Sequence, residues 1–273
     1  MKFFESLDAA VERNRSLVCV GLDPAMAKLP ECVRSAKQPF FEFNRKIVDA
    51  TRDFVCCYKP QSAFYAGEDR DDELKLTIDY IHENAPGIPV ILDVKRGDIG
   101  STAEQYAREA FERYKADAVT VNPYMGFDAV KPFLDYADKG VIVLCRTSNP
   151  NSGDLQNLVC DGKPVYEHLA LLVRDKWNAS GNAALVVGAT YPEELKRLRE
   201  LCPKMPFLVP GVGAQGGDVE KVVRFGCDAK RRGIMVNSSR GIIFAGRDEN
   251  FAEASREAAA KLRDLINGFR KQL

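Results

Sequence analysis

The sequence is poor in histidine and tryptophan, with 2 and 1 among 273 residues, and it contains no C-x-x-C pair. His82 and His168 both fall inside helical patterns, so a metal site is not expected and no metal ligands are assigned. Long apolar runs are missing too: none approaches the roughly 20 residues that span a bilayer. Charge of one sign is not in excess, because 39 Lys and Arg balance 39 Asp and Glu. That balance argues against nucleic acid or an anionic membrane as partner and leaves a small molecule as the expected ligand. The opening MKFFESLDAAVERN has acids inside an amphipathic helical pattern, unlike a secretory leader. A cytoplasmic location is the expectation. Eight cysteines are present, but they are scattered and several sit in strand-like runs (LVCVGL, FVCCYK, VIVLCRT), the pattern of buried reduced thiols.

What the chain has in abundance is one repeated theme, a short apolar β-branched run, a polar or glycine-bearing break, then an amphipathic helical segment. Eight such runs occur, at 16–23, 53–60, 88–95, 117–124, 140–148, 183–190, 205–213 and 232–239. Helical patterns between them include FFEFNRKIVDATR, DDELKLTIDYIHEN and YPEELKRLRELCP, and NFAEASREAAAKLRDLINGFRKQL closes the chain. Strands this apolar, each separated by a helix, indicate a parallel sheet covered on its outer face. Eight βα units in this length indicate an α/β fold of the (β/α)₈ TIM-barrel type, with residues 1–273 as a single domain. No low-complexity segment or interdomain linker interrupts it. Ser101 and Glu104 suggest a capping box that starts a helix just beyond Gly100. The segment 149–164 is the one outsized connection, a loop with a small hairpin.

Barrels carry their chemistry at the C-terminal ends of the strands. Those positions hold Asp23, Lys59, Asp93 with Lys95, Asn122, Thr147 with Ser148, Gln215 and Arg240. Charges buried there are tolerated only as a mutually compensating network, and alternating Asp and Lys supply one. In ILDVKRGDIG, strand alternation puts Asp93 and Lys95 on one face and Arg96 on the other, with Asp98 on the following loop. GVGAQGG (211–217) follows the seventh strand and NSSRG (237–241) the eighth, where barrels commonly bind a phosphoryl group. Gly211, Gly213, Gly216 and Ser239 would bring backbone and hydroxyl groups to the anion, and Arg240 offers a bidentate fork. The G-x-G-x-x-G match is not a dinucleotide fingerprint, since it comes after the seventh strand instead of the first.

The run LDVKRGDIGSTAEQYA resembles the signature of orotidine 5′-phosphate decarboxylases, a D-x-K-x-x-D arrangement ending the third barrel strand, and is similar in particular to a longer bacterial-type branch. CVGLDP, YKPQSAFY, VNPYMG, RTSNP, PGVGAQGGD and NSSRGI resemble further family segments in the same order, so the likeness covers almost the whole chain. It implies that Asp93 lies beside the substrate carboxylate and that Lys95 stabilises the carbanion at C6 and then protonates it. Lys59 and Asp23 would complete the charge network and hold the ribose. Asp98, with Thr102 beside it, would reach the neighbouring subunit's site, which implies a homodimer with shared active sites. Ser148 would bond the pyrimidine edge, Gln215 and Arg240 the 5′-phosphate, and Asn122 would be a further substrate contact. The loop from Gly211 to Asp218 would be a lid.

The implied reaction needs no cofactor but is demanding. Loss of CO₂ leaves an electron pair in the ring plane, where the π system cannot delocalise it. Enzymes can lower barriers by about 20 kcal/mol, whereas one preorganised donor is worth roughly 3–4 kcal/mol. A set of fixed charges is required. Three other readings compete. A Mg-dependent phosphosugar enzyme of the same superfamily would place a Glu ligand where this chain has Lys59, which cannot coordinate a metal while protonated. A non-catalytic nucleotide-binding barrel should have lost one of Lys59, Asp93, Lys95 or Asp98, and all four are present. A Schiff-base aldolase fits poorly, because a lysine held between acids stays charged.

Overall fold

The computed structural model describes residues 1–212 and 217–273. Eight parallel strands form one sheet: β1 Val18–Leu22, β2 Cys57–Pro60, β3 Ile91–Arg96, β4 Ala118–Val121, β5 Gly140–Arg146, β6 Ala183–Val187, β7 Phe207–Val209 and β8 Ile234–Ser238. The neighbour order is β2-β1-β8-β7-β6-β5-β4-β3. Parallel bridges from Tyr58 to Val90 and from Gln61 to Asp93 join its two ends and close the barrel. Each of the eight sequence runs therefore supplies a strand. Full burial explains their continuous Val, Ile, Leu and Ala character, because one face packs in the barrel and the other under helices.

The helices begin where the chain offers suitable chemistry. Pro39 and Pro192 occupy first-turn positions of Pro39–Thr51 and Pro192–Leu201, where a missing N–H costs nothing. The Asp218 carboxylate accepts from Glu220 N at 2.8 Å and Lys221 N at 3.3 Å, capping Val219–Gly226. Ser101 does not cap. The helix after β3 spans Gly100–Arg108, and its first i→i−4 bond runs from Ala103 N to the Ile99 carbonyl, so Ser101 already lies inside the first turn. The 149–164 connection contains a short helix, Gly153–Gln156, and an antiparallel pair, Val159–Cys160 with Lys163–Pro164. The closing helix, Phe251–Arg270, packs on Pro39–Thr51 through Phe43 and Phe251, whose rings stack at 5.1 Å. Among the described residues no helix is long and apolar enough to cross a membrane.

Six of the eight thiols are buried and all eight are unpaired. His82 Nε2 lies 3.0 Å from Asp117 Oδ2, and His168 Nε2 lies 2.6 Å from the Cys160 carbonyl. Neither joins the polar groups at the strand ends.

Candidate active site

At the barrel's C-terminal mouth three of the expected residues touch. The Asp93 carboxylate is buried and takes one ammonium on each oxygen, Lys59 Nζ at 2.8 Å on Oδ2 and Lys95 Nζ at 2.6 Å on Oδ1. Lys59 is fixed by its strand. Pro60 ends β2 directly after it, and Gln61 caps the next helix by accepting from Ala63 N at 3.3 Å. Its side chain is only 5% exposed, against 45% for Lys95. One cation is therefore locked inside the barrel while the other stands in the open mouth, where a ligand can reach it. Asp23 faces the same group from the end of β1, and its Oδ1 accepts from Gln61 N at 3.2 Å.

Burial disfavours the charged form of both Lys59 and Asp93, yet each remains ionised because its partners outweigh that cost. Asp93 and Asp23 hold the Lys59 ammonium above its ordinary 10.5, and Lys59 and Lys95 hold the Asp93 carboxyl well below its ordinary 3.8. Asp93 thus contributes stability that is present above 3.8 and lost as pH falls through its lower folded value. The Lys59 contribution is complete below 10.5 and lost only as pH rises through its higher folded value. Between these limits the pair is charged. Melting temperature measured from about pH 6 to about pH 2 should fall more steeply for the parent than for Asp93→Asn, which cannot release this carboxylate's contribution. Parallel curves would contradict the assignment.

Asp93 and Lys95 do share a side of β3, but regular alternation is not the cause. Leu92 pairs with Val119 and Arg96 with Val121, so residues 93–95 stand opposite Thr120 alone. Lys95 adopts φ 50°, in the left-handed region that a non-glycine residue rarely enters. This is a bulge, and it re-aims the lysine. Arg96 points outward as expected, bonding Glu109 at 3.0–3.2 Å with its guanidinium 4.5 Å from the Tyr106 ring centroid.

The remaining expected residues that the structure describes follow strand ends and make no hydrogen bond or ion pair with this cluster. Asp98 is half-buried with its Oδ1 on Ile99 N at 2.8 Å, and Thr102 is exposed on the first turn that follows. Asn122 is exposed, and its Oδ1 accepts from Tyr124 N at 3.1 Å. Ser148 lies against Gly188, where a Cβ would come within 2.8 Å of the Ser148 backbone. Ser239 approaches β1 only because residue 21 is glycine, since a Cβ there would lie 2.7 Å from Ser239 Cβ. Ser239 Oγ is buried and has no hydrogen-bond partner among the described residues. Arg240 opens the short helix Arg240–Ile243 with an exposed side chain. Gly211 accepts at its carbonyl from Gly217 N at 3.1 Å. Gly213, Gln215 and Gly216 lie outside the described residues.

Two residues escaped the sequence reading. Thr120 is 1% exposed and donates to Asp93 Oδ1 at 2.8 Å. Arg146, also 1% exposed, ends β5 and bonds Glu194, Ser152 and Gln156, tying the long loop to the barrel beside Ser148. The signal for each was a lone polar group in an apolar strand, AVTV and GVIVLCR. Among the described residues no three His, Cys, Asp or Glu side chains converge as metal ligands. The cluster can hold one open cation beside a fixed anion, an arrangement suited to stabilising charge that develops next to Lys95.

Comparison with known proteins agrees with this geometry. Residues 16–255 match the family model described as "Orotidine 5'-phosphate decarboxylase / HUMPS family". The orotidine 5′-phosphate decarboxylase of Ralstonia pickettii (strain 12J) is 58% identical over 270 residues, covering 99% of this chain and 100% of that one. That of Dechloromonas aromatica (strain RCB) is 57% identical with the same coverage. The structure of Leishmania donovani OMP decarboxylase superposes with a TM-score of 0.87 at 38% identity, over 99% of this chain and 100% of that chain. The barrel, its charged mouth and these full-length likenesses agree: the chain belongs to the orotidine 5′-phosphate decarboxylase family.

Proposed function

We propose that the chain decarboxylates orotidine 5′-monophosphate to uridine 5′-monophosphate and CO₂ in pyrimidine biosynthesis, as a carboxy-lyase working through its own side chains. The observation that carries the reading is the Lys59–Asp93–Lys95 cluster, an anion between two cations of which only Lys95 is open to a ligand. With the substrate carboxylate beside Asp93, CO₂ leaves and the electron pair remaining at C6 faces the Lys95 ammonium. That ammonium stabilises the carbanion and then gives it a proton. Lys59 keeps Asp93 ionised, so the like-charge contact with the substrate carboxylate persists until CO₂ departs.

The other roles follow from position. Asp23 and Lys59 hold the ribose hydroxyls, Ser148 bonds the pyrimidine edge, and Asn122 is a further contact. Arg240, Gln215 and Ser239 hold the 5′-phosphate with the backbone of Gly211, Gly213 and Gly216. Phosphate binding energy then contributes to the chemical step. Asp98 and Thr102 serve the site of a second copy in a homodimer. Asp98 makes no ion pair within the described residues, and Ile99, Tyr124 and Met125 on loops and Phe127 at a helix start expose 40–79% of their surface, an apolar area suited to a partner. Unpaired thiols fit a reducing cytoplasm.

The test is direct. Purified protein mixed with orotidine 5′-monophosphate should convert it to uridine 5′-monophosphate, read from the ultraviolet change. Absence of conversion by a folded protein would reject the proposal.

A further inference from the structure

Thr120 makes three hydrogen bonds that meet at one buried hydroxyl. Its Oγ1 accepts from Val94 N at 3.1 Å and from Lys95 N at 3.0 Å, and it donates to Asp93 Oδ1 at 2.8 Å. A hydroxyl has two acceptor positions and one proton. With both acceptor positions occupied by backbone N–H groups, its proton is left for the carboxylate. Two structural problems are answered by one group. The bulge in β3 sets residues 93–95 against Thr120 alone, which takes the Val94 and Lys95 amides out of the regular ladder, and a buried amide without an acceptor is costly. The Asp93 carboxylate, pulled by an ammonium on each side, needs a third contact to fix its rotation.

We infer that Thr120 is a positioning residue for the reaction: its hydroxyl holds the bulge that aims Lys95 and orients the carboxylate that Lys95 bonds. It acts through the two residues that face the reacting carbon, and this inference rests on the role proposed above for Lys95. Valine has nearly the same shape as threonine but neither donates nor accepts, so Thr120→Val removes all three bonds at almost constant volume. Serine keeps the hydroxyl and loses only a methyl group.

The experiment compares Thr120→Val and Thr120→Ser with the parent on orotidine 5′-monophosphate, together with hydrogen exchange at the Val94 and Lys95 amides. In Thr120→Val kcat should fall roughly 10- to 100-fold, the loss usual when a group that orients an active side chain is removed. KM should move by less than about threefold, since the groups that bind ribose and phosphate are untouched. Both amides should exchange faster, and Thr120→Ser should restore kcat and slow exchange. A folded Thr120→Val with parent kcat overturns the inference. So does a Thr120→Ser variant that loses as much as Thr120→Val, which would mark a packing role for the methyl group. Should Thr120→Val not fold, Thr120→Ser decides alone, with parent-like kcat and slow amides supporting the inference and a tenfold loss overturning it. Lys95→Ala measured alongside separates the two levels. If it stays active the role of Lys95 fails, whereas an inactive Lys95→Ala beside a parent-like Thr120→Val defeats only the positioning role.

Discussion

Lys95→Ala should abolish decarboxylation, by more than about 10³-fold, while the protein stays folded and still binds uridine 5′-monophosphate. The size follows from losing two contributions at once. General acid catalysis is worth about 10²–10⁴-fold, and one preorganised group facing developing charge about 10²–10³-fold. The fold survives because the Lys95 side chain is 45% exposed and its removal leaves Asp93 paired with Lys59 and bonded to Thr120. Lys59→Ala is the harsher structural change. It strips a buried carboxylate of its enclosed partner, and removing one member of a buried pair typically costs about 3–5 kcal/mol. Steady-state turnover, a melting curve and calorimetric product binding measured on Lys95→Ala separate these effects. Substantial turnover in that variant would show that the proton comes from elsewhere.

On the proposed homodimer, mixing Lys95→Ala with Asp98→Ala, each expected to be inactive alone, should restore activity once their subunits exchange. If Asp98 serves the neighbouring site, one site of a mixed dimer would draw both Lys95 and a neighbour's Asp98 from intact copies, and the other site would lack both. Random exchange makes half of the dimers mixed, so about a quarter of all sites recover. The same reasoning predicts no recovery when two Lys95→Ala preparations are combined. Activity that stays near zero after verified exchange would place Asp98 in its own subunit's site. The expected effect is large because each variant alone should retain almost none of the parent rate.

Much of this could be read from the residues, for physical reasons that differ by position. Eight apolar runs alternating with amphipathic segments leave few architectures other than a closed parallel barrel, and the strands lie within those runs except β3, which extends one residue beyond its run to Arg96. Lys59, Asp93 and Lys95 stood out because an ionisable group at the end of a buried strand has to be compensated, and the nearest compensating charges were each other. The geometry joining them was less legible. Alternation assumes a regular ladder, and nothing in DVKRG announces that Lys95 takes φ 50° in a bulge. Thr120 was hidden for the opposite reason. Its one signal, a lone polar group in AVTV, is weak because strand propensity alone would place a threonine there, and only the fold sets its hydroxyl beside Asp93. Ser101 and Glu104 misled because a capping box in sequence depends on which residue first leaves helical geometry, and the left-handed Gly100, φ 55°, lets the turn start earlier.

The chemistry proposed here asks side chains alone to stabilise a localised carbanion, and that can be measured in one experiment. Orotidine 5′-monophosphate is turned over in D₂O with EDTA present, and the uridine 5′-monophosphate formed is examined at C6. Turnover should equal that without chelator, and the product should carry one deuteron at C6, delivered from the exchangeable Lys95 ammonium. Turnover that vanishes with EDTA and returns on adding Mg²⁺ would contradict it, as would a product without deuterium at that carbon.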